Sequence, residues 1–237
     1  MSLSTKYRTE ETEIMDDFSL EGAELIDALN QIARINQLLG GNKLIVHGLK
    51  QLLIETNSNE PIIIADIGCG NGDMLRMLAQ YGKKRGLNFK LIGIDANAFT
   101  INYAKSLSKE YPNVEYYCMD IFSTDFKDLK YDIALCTLTL HHFSNKQIED
   151  ILVLLHHNAA TGVIVNDLHR SKLAYRLFEM ICVIFNLNNM SREDGLVSIL
   201  RGFKKKELES FSKKLNLQNY TINWKWAFRY QWIIKKI

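Results

Sequence analysis

The sequence has few residues that interrupt or cross-link a chain. Only two of its 237 residues are proline, so no proline-rich linker marks a domain boundary. The four cysteines contain no C-x-x-C pair, which argues against a zinc or disulfide framework. We expect all four to be buried, reduced thiols: Cys69, Cys118, Cys136 and Cys182.

Long apolar runs are also missing. The longest, Leu173–Phe185, is interrupted by Arg176 and Glu179 and is too short to span a bilayer. The N-terminal residues lack the basic and then apolar pattern of a secretory signal. We therefore expect a cytoplasmic protein without a transmembrane segment, in which membrane contact would be transient.

Neither sign of charge is in large excess, since the net charge is only +2. Its distribution is uneven: Met1–Asn30 carries eight acidic and two basic side chains, and Arg201–Ile237 carries two acidic and ten basic ones. A basic segment can bind nucleic acid or an anionic membrane, but it is more often a solvated face, and we favour that interpretation. Nucleic acid is not expected as a partner, and the sequence leaves the oligomeric state open.

Hydrophobic periodicity predicts an α/β fold. Helices are expected at Glu21–Leu39 and Leu44–Glu55, after which short β-rich runs alternate with helical segments. Such alternation indicates a doubly wound, mostly parallel sheet covered on both faces. The runs are Ile62–Ile67, Phe89–Ile94, Val114–Cys118, Tyr131–Cys136 and Gly162–Val165. The helices between them are Asp73–Lys84, Ala98–Lys109 and Lys146–His157, the last opened by a capping box of Ser144 and Gln147.

The alternation stops after the fifth strand. An apolar helix at Leu173–Phe185 is followed by a polar loop, a helix at Lys204–Leu215, and a hairpin of Gln218–Trp226 with Arg229–Ile234. This pattern completes a seven-stranded sheet. We predict a helical cap over residues 1–58 and a main domain over 59–237, with a helical insertion at about 171–200. The apolar helix either lies in the core or joins the N-terminal helix as a lid.

The stretch "ADIGCGNGD" marks a ligand site. A strand that ends in Gly68, Gly70 and Gly72 before a helix lets a ligand approach the backbone. In the dinucleotide fingerprint G-x-G-x-x-G the third glycine would stand at Asp73, whose carboxylate would repel a pyrophosphate. The loop therefore suits a ligand that is not anionic at this point.

Three acids end successive strands and should meet at one edge of the sheet. They are Asp66, Asp95 and Asp120. Asp95 is placed to accept the hydroxyls of a ribose, and Asp120 an exocyclic amino group, with Ile121 against a flat base. Together these residues suggest a nucleoside ligand that carries positive charge near the glycine loop.

These motifs resemble the class I S-adenosylmethionine-dependent methyltransferases. The matching pieces are "ADIGCGNGD", "GIDAN", "MDIF" and "YDIALCTLTLHHF", in the order of the family. The resemblance implies a Rossmann-like methyltransferase fold, an S-adenosyl-L-methionine cofactor and an S-adenosyl-L-homocysteine product. The cofactor-binding residues implied are Asp66, Gly68, Cys69, Gly70, Asn71, Gly72, Asp95, Ala96, Asp120, Ile121 and Thr137. "VNDLHRS", "ARINQLLGG" and "LRGF" look like the small-molecule branch near ubiquinone and menaquinone biosynthesis.

The acceptor side is less defined. His141 and His142 follow the fourth strand, where a histidine near neutral pKa could remove a phenol or carboxylic-acid proton, or could merely order the loop. We name both as catalytic candidates, with His142 preferred, and no metal ligands. After the fifth strand, Asp167 and Arg170 are expected to pair with each other.

The predicted reaction is methylation of a small, largely apolar acceptor, first at oxygen of a phenol, quinol or carboxylate. Methylation at a ring carbon is an alternative. Another is an RNA or protein methyltransferase that uses the basic C-terminal lysines Lys204, Lys205, Lys206, Lys213 and Lys214. The base-amine signature N/D-P-P-Y/F is missing after the fourth strand, where the sequence reads "CTLTLHH".

Overall fold

The structure, a computed structural model, describes residues 3–53 and 60–236. Seven strands are assigned: β1 (Ile62–Ile67), β2 (Phe89–Asp95), β3 (Val114–Cys118), β4 (Tyr131–Thr137), β5 (Ala159–Leu168), β6 (Tyr220–Lys225) and β7 (Arg229–Lys235). They form one sheet in the order β3-β2-β1-β4-β5-β7-β6. The first five strands are parallel, and β7 runs antiparallel to both β5 and β6. The predicted α/β fold is confirmed.

Nine α-helices lie in the described ranges: α1 (Ala23–Leu38), α2 (Gly41–Leu52), α3 (Asp73–Arg85), α4 (Ala98–Leu107), α5 (Thr124–Asp128), α6 (Asn145–Asn158), α7 (Lys172–Ile184), α8 (Asn189–Arg201) and α9 (Lys205–Lys214). Single 3-10 turns occur at Ile14–Asp16 and Leu140–His142. Ser144 and Gln147 form the predicted capping box at the start of α6. None of the described helices is long and apolar enough to cross a membrane.

The sheet is buried on both faces, which explains its continuous apolar strands. Within β1, Ile64 belongs to the core cluster on one face, whereas Ala65 and Ile67 belong to the cluster on the other. The first face is covered through α2, α3 and α4, and the second through α6 and α9. Because side chains alternate along a strand, a covered parallel strand needs apolar residues at nearly every position.

One helix boundary near the N-terminus differs from the sequence prediction. Helix α2 begins at Gly41, three residues before the predicted start, with Gly40 at its N-cap in the left-handed conformation. Gly41 packs closely on Asn36, where a Cβ atom would meet Asn36 Oδ1 at 1.9 Å. The predicted end of this helix at Glu55 and the predicted domain boundary between 58 and 59 fall outside the described residues. The division into cap and main domain stays a prediction.

The segment predicted as a polar loop after α7 is helical from Asn189 onwards. Asn188 caps this helix, α8, by accepting the Ser191 N–H at 2.8 Å. Ser191 and Asp194 are buried, so the inward face of α8 is partly polar and shows no apolar repeat. Gly195 sits against the ring of Phe178 in α7, where a Cβ atom would come within 2.3 Å.

The expectations for α7 and for one cysteine were wrong. Leu173, Met180, Val183 and Ile184 of α7 are each more than half exposed, so this helix is neither core nor a lid on the cavity described below. It packs on α8 through its other side. All four cysteines are free thiols, but Cys118 is exposed because it ends β3, which is an edge strand of the sheet.

Candidate active site

The glycine loop joins β1 to α3 in a conformation that side chains rarely allow. Gly68, Gly70 and Gly72 have φ angles of +69°, +53° and +75°. A Cβ atom on Gly68 would lie 2.5 Å from Thr139 Oγ1, and one on Gly72 would lie 2.0 Å from the Tyr116 hydroxyl. Gly70 has more room, since the nearest atom to its Cβ position would be 3.7 Å away. Gly68 and Gly72 therefore permit close packing, while Gly70 leaves its backbone open to a ligand.

A cavity of about 580 Å³ opens over this loop at the carboxyl ends of the parallel strands. Ligands of open α/β sheets bind at this edge, where the strand order reverses on either side of β1. The volume lies in the range of small-molecule and cofactor sites. Eleven of the predicted site residues line it: Asp66, Gly68, Cys69, Gly70, Asn71, Asp95, Ala96, Asp120, Ile121, Thr137 and His142.

The two predicted residues outside the cavity wall are Gly72 and His141. Gly72 packs on Tyr116 as described, and His141 is only 2% exposed behind His142. From the sequence, both histidines were expected beside the ligand site after β4. In the structure both belong to the 3-10 turn at Leu140–His142, but they lie at different depths. Only His142 reaches the cavity.

Asp66 is a buried carboxyl at the floor of the cavity. Its side chain is almost wholly inaccessible, and Oδ1 has no hydrogen-bond partner among the described residues. Burial, with further repulsion from Asp73 and Asp95, raises the pKa of Asp66 well above its ordinary value. A positively charged group placed beside Asp66 would favour its ionised form.

Asp95 is fixed at the end of β2 by two backbone donors. It accepts the Gly70 N–H at 3.1 Å and the Asn97 N–H at 3.0 Å. Burial raises the pKa of Asp95, and these hydrogen bonds oppose the shift. Each carboxylate oxygen has a second acceptor position, so ribose hydroxyls can still bind there.

Asp120 and Ile121 form the far wall, after β3. Asp120 Oδ1 accepts the Phe122 N–H at 2.9 Å, which shapes the turn and leaves its other oxygen available. Ile121 is 7% exposed and presents an apolar surface to the cavity. On the opposite side of β1, the buried Thr137 Oγ1 has no hydrogen-bond partner within the described part of the chain.

The N-terminal residues close the cavity from above. The side chains of Met15, Phe18 and Leu20 line it, as do Leu25, Leu29, Ile32 and Ala33 of α1. Asn71 of the glycine loop donates to Asn30 of α1 at 3.0 Å, so the two elements are tied together. Across the cavity, Phe122 and Phe143 pack edge to face with their centroids 5.8 Å apart. This part of the wall is apolar and aromatic.

The two histidines are each held by a carboxylate through Nδ1. His141 Nδ1 lies 2.7 Å from Asp167 Oδ1, and His142 Nδ1 lies 2.6 Å from Asp16 Oδ1. For both Asp16 and Asp167, burial alone would raise the pKa, but hydrogen bonds and nearby positive charge outweigh it and the pKa is lowered. An ionised carboxylate can only accept, so Nδ1 of each ring donates to it, and in a neutral ring the lone pair is then on Nε2.

Glu13 lies between the two rings. It is 4% exposed and accepts a hydrogen bond from Ser198 Oγ at 2.6 Å. Burial raises the pKa of Glu13 to about 7, against the opposing charges of His142 and Arg201. Arg201 binds Asp16 Oδ2 at 2.6 Å and donates to the carbonyl oxygens of both histidines. The N-terminal segment is thereby fastened to α8 and to the loop after β4.

Sequence reasoning missed Glu13 and Asp16. His142 and Asp16 are 126 positions apart, and no local spacing connects them. The predicted pairing of Asp167 with Arg170 was also wrong. Asp167 binds His141, while the fully buried Arg170 binds Glu207 of α9 through two contacts of 2.6 and 3.1 Å.

Comparison with known proteins identifies a protein family for part of the chain. Residues 64–162, from β1 into β5, match a protein family described as "Methyltransferase domain". No curated protein matches the chain in the corresponding search.

Solved structures with the same fold include three methyltransferases. The plantazolicin methyltransferase BpumL, bound to a monoazolic desmethyl-plantazolicin analogue and SAH, has 18% identity and a TM-score of 0.64 over 88% of this chain and 89% of its own. Magnesium protoporphyrin IX methyltransferase from Synechocystis PCC 6803 with bound SAM has 16% identity and a TM-score of 0.53 over 86% and 82%. An O-methyltransferase family protein from Burkholderia thailandensis has 12% identity and a TM-score of 0.60 over 88% and 58%.

The structural similarities, at these identities, establish the fold, and the family match over residues 64–162 supplies the activity class. The chain therefore has a Rossmann-like fold, and its residues 64–162 match a methyltransferase domain. The predicted fold is confirmed, and the predicted methyltransferase activity and S-adenosylmethionine cofactor agree with the family match and with the SAM- and SAH-bound neighbours. The individual cofactor contacts, the catalytic histidines and the quinone-biosynthesis branch remain predictions.

Proposed function

We propose that the protein transfers a methyl group from S-adenosylmethionine to an oxygen of a small, largely apolar acceptor. The observation that carries this proposal is the cavity wall opposite the glycine loop. Met15, Phe18, Phe122 and Phe143 give that wall an apolar and aromatic surface. Such a surface suits a phenol, a quinol or an apolar carboxylic acid, in keeping with the branch that the sequence resembles.

The cofactor is proposed to lie along the edge formed by β1, β2 and β3. Asp95 would hold the ribose hydroxyls, and Asp120 and Ile121 the adenine. Asp66 is the buried carboxyl that would gain most from the cofactor's positive charge. Thr137 would lie near the sulfonium, on the side of β1 that faces β4 and the histidines. With the methyl group directed toward the apolar wall, the acceptor oxygen would approach in line.

His142 is proposed to assist the transfer by taking the acceptor's proton. It lines the cavity, and Asp16 holds its Nδ1, so the lone pair is on Nε2. As the acceptor oxygen bonds to the methyl carbon, the carbon–sulfur bond breaks and the proton passes to the imidazole. His141, which is buried and bound to Asp167, is proposed to position His142 through the contact between their rings, which are tilted by 31° with centroids 4.3 Å apart.

The solved neighbours favour a small-molecule acceptor by analogy, because one is bound to a plantazolicin analogue and another is a magnesium protoporphyrin IX methyltransferase. The C-terminal lysines give little support to an RNA or protein acceptor, because two of them are paired with acidic residues. Lys205 lies 3.7 Å from Glu209, and Lys214 lies 2.7 Å from Glu149. Those two acidic partners reduce the positive potential of the predicted patch.

A screen of phenols, quinols and carboxylic acids tests the proposal. Each compound is incubated with the full-length protein and S-adenosylmethionine, and products are analysed by mass spectrometry with fragmentation to locate the methyl group. We expect an O-methyl product and a rate about a hundredfold or more lower in His142→Ala, since general-base assistance has roughly that value. The matched control is His157→Ala, an exposed histidine on α6.

Two results would contradict the proposal. Methylation confined to ring carbons would favour the alternative reaction, and methylation of RNA or protein without any small-molecule product would remove the acceptor class. A His142→Ala rate equal to that of the control would leave His142 with a structural role only.

A further inference from the structure

The cluster of Glu13, His141 and His142 holds more potential ligand atoms than hydrogen bonds explain. Glu13 Oε1 and His141 Nε2 are both buried, and neither has a hydrogen-bond partner among the described residues. Burying a polar atom without a partner costs free energy, so such atoms usually mark an interaction with something else. Both atoms point into the same small space between the histidine rings and the Glu13 carboxylate.

The distances within this cluster are those of ligands around one ion. His141 Nε2 lies 3.6 Å from Glu13 Oε1, and His142 Nε2 lies 3.7 Å from Glu13 Oε2. These separations are too long for hydrogen bonds. Two ligands about 2.1 Å from a metal at a tetrahedral angle stand roughly 3.4 Å apart, close to what the cluster shows. One nitrogen from each ring and one carboxylate oxygen all lie within 4.8 Å of one another.

The residues behind the cluster are arranged as in protein metal sites. Histidine ligands usually donate their second ring N–H to a carboxylate, which fixes the tautomer and the ring orientation. Asp167 does this for His141 and Asp16 for His142. Both Nε2 lone pairs are then directed away from these partners and toward Glu13.

The local charge also favours a cation. Four carboxylates are near the cluster and two guanidinium groups accompany them, so a divalent ion with neutral imidazoles would balance the site. The carboxylates belong to Glu13, Asp16, Asp167 and Asp194, and the guanidinium groups to Arg8 and Arg201. Arg201 Nη1 lies 3.6 Å from Glu13 Oε1, but its shorter contact, 2.6 Å, is to Asp16.

We propose that Glu13, His141 and His142 bind a divalent transition-metal ion of the Zn²⁺ type. Two imidazoles and one carboxylate suit zinc or iron better than magnesium or calcium, which prefer oxygen ligands. His142 and Asp16 are each about a quarter exposed at the cavity wall, which provides a route for entry.

This inference deepens the proposed function, on which its catalytic role rests, although metal binding itself does not depend on methyl transfer. With an ion bound, the lone pair of His142 would be a ligand, so the ion would assist the transfer in its place, and general-base action by His142 would be confined to the metal-free protein. Its charge, next to the cavity wall at His142, would favour the ionised form of an acceptor hydroxyl held there.

The test is metal titration of the full-length, tag-free protein after treatment with a chelator. Zn²⁺ binding is followed by calorimetry, and Co²⁺ binding by visible absorption. We expect one ion per chain and a Co²⁺ spectrum with nitrogen and oxygen ligands. Mg²⁺ should bind far more weakly. No cofactor or acceptor is present, so a failure here is separate from a failure of the proposed methyl transfer.

Variants locate the ion. Glu13→Gln and His142→Gln should each weaken Zn²⁺ binding at least a hundredfold, and Asp167→Asn about 10–100-fold as a supporting residue. The chain offers a matched control in His156 and His157, an adjacent pair near the end of α6 beside Lys236. Replacing both with alanine should leave binding unchanged, and circular dichroism checks that each variant folds.

Two outcomes would overturn the proposal. One is wild-type protein that binds neither Zn²⁺ nor Co²⁺. That result would mean that Glu13, His141 and His142 only share protons with one another. The other is Zn²⁺ affinity that is unchanged in folded Glu13→Gln and His142→Gln, which would place the ion elsewhere whether or not replacing His156 and His157 abolishes binding. Should one variant fail to fold, the other and the wild-type Co²⁺ spectrum still decide the question.

Discussion

Asp66 illustrates how a residue that costs stability can serve a ligand. Its carboxyl is buried without a hydrogen bond to Oδ1 in the described part of the chain, and Asp73 and Asp95 lie close enough to repel its charge. A cationic cofactor offsets that repulsion, whereas a pyrophosphate would add to it. The acid-rich edge therefore favours a sulfonium cofactor over a dinucleotide, as the departure at Asp73 indicated from the sequence.

The first prediction concerns the pH dependence of cofactor affinity. Because the pKa values of Asp66 and Asp95 are raised in the free protein, both take up protons at higher pH than ordinary aspartates do. Protonation removes the charge that attracts the cofactor, so S-adenosylmethionine should bind more weakly as the pH falls through these raised pKa values. Calorimetry across that range in two buffers of different ionisation enthalpy would measure the affinity and the protons released.

Protonation of Asp66 has the opposite effect on folding from its effect on cofactor binding. A raised pKa means that the folded protein holds the proton more tightly than the unfolded chain does, so this stabilisation is lost as the pH rises through the folded pKa. Asp66→Asn should therefore keep or raise the free energy of unfolding at neutral pH while it weakens cofactor binding. An affinity that is independent of pH and unchanged in Asp66→Asn would contradict this account.

At the scale of elements, α8 links the N-terminal segment to the site. Asp194, which is 2% exposed, accepts the N–H groups of Ile14 and Met15 at 2.6 and 2.9 Å. It thereby caps the 3-10 turn that brings Glu13 and Asp16 to the histidines. Arg201, at the end of the same helix, binds Asp16 and the loop after β4.

Removing that cap should weaken one wall of the cavity. In Asp194→Ala two N–H groups lose a charged acceptor, so we expect a loss of about 2–4 kcal/mol in the free energy of unfolding and faster proteolysis within the N-terminal segment. Urea unfolding and limited proteolysis measure both effects. Glu193→Ala, an exposed neighbour on α8, is the control. Equal stability of the two variants would show that the N-terminal segment is held by other contacts.

Some of these helices and strands could be predicted from the sequence, and others could not. The five parallel strands follow directly from apolar runs, because a covered strand must be apolar on both sides. Helix α8 does not, because its buried face includes Ser191 and Asp194 and its Gly195 is required by packing on Phe178. The N-terminal turn at Ile14–Asp16 has no period at all, and its place depends on Asp194, 180 positions away.

At the scale of the whole molecule, sheet order explains why the cofactor side was predictable. Asp66, Asp95 and Asp120 lie at the carboxyl ends of three strands that are adjacent in the order β3-β2-β1, so a pattern of strand-end acids becomes a row of neighbours. The acceptor side lacks this property. It is assembled from residues 12–18, α1, α8 and the loop after β4, which meet only in the folded chain. Accordingly the cofactor was predictable, whereas the partners of His141 and His142 were not.

The most direct test of the central claim is calorimetry of S-adenosylhomocysteine binding to the wild-type protein and to Asp95→Ala. Losing an acceptor of two ribose hydroxyls should weaken binding roughly 10–100-fold, since hydrogen bonds to a charged group contribute about 1.5–3 kcal/mol. The fold should be unchanged by circular dichroism. NADH is the comparison ligand and should not bind measurably. The account predicts one S-adenosylhomocysteine per chain with this loss in Asp95→Ala, whereas tight NADH binding or an unchanged affinity of the variant would contradict it.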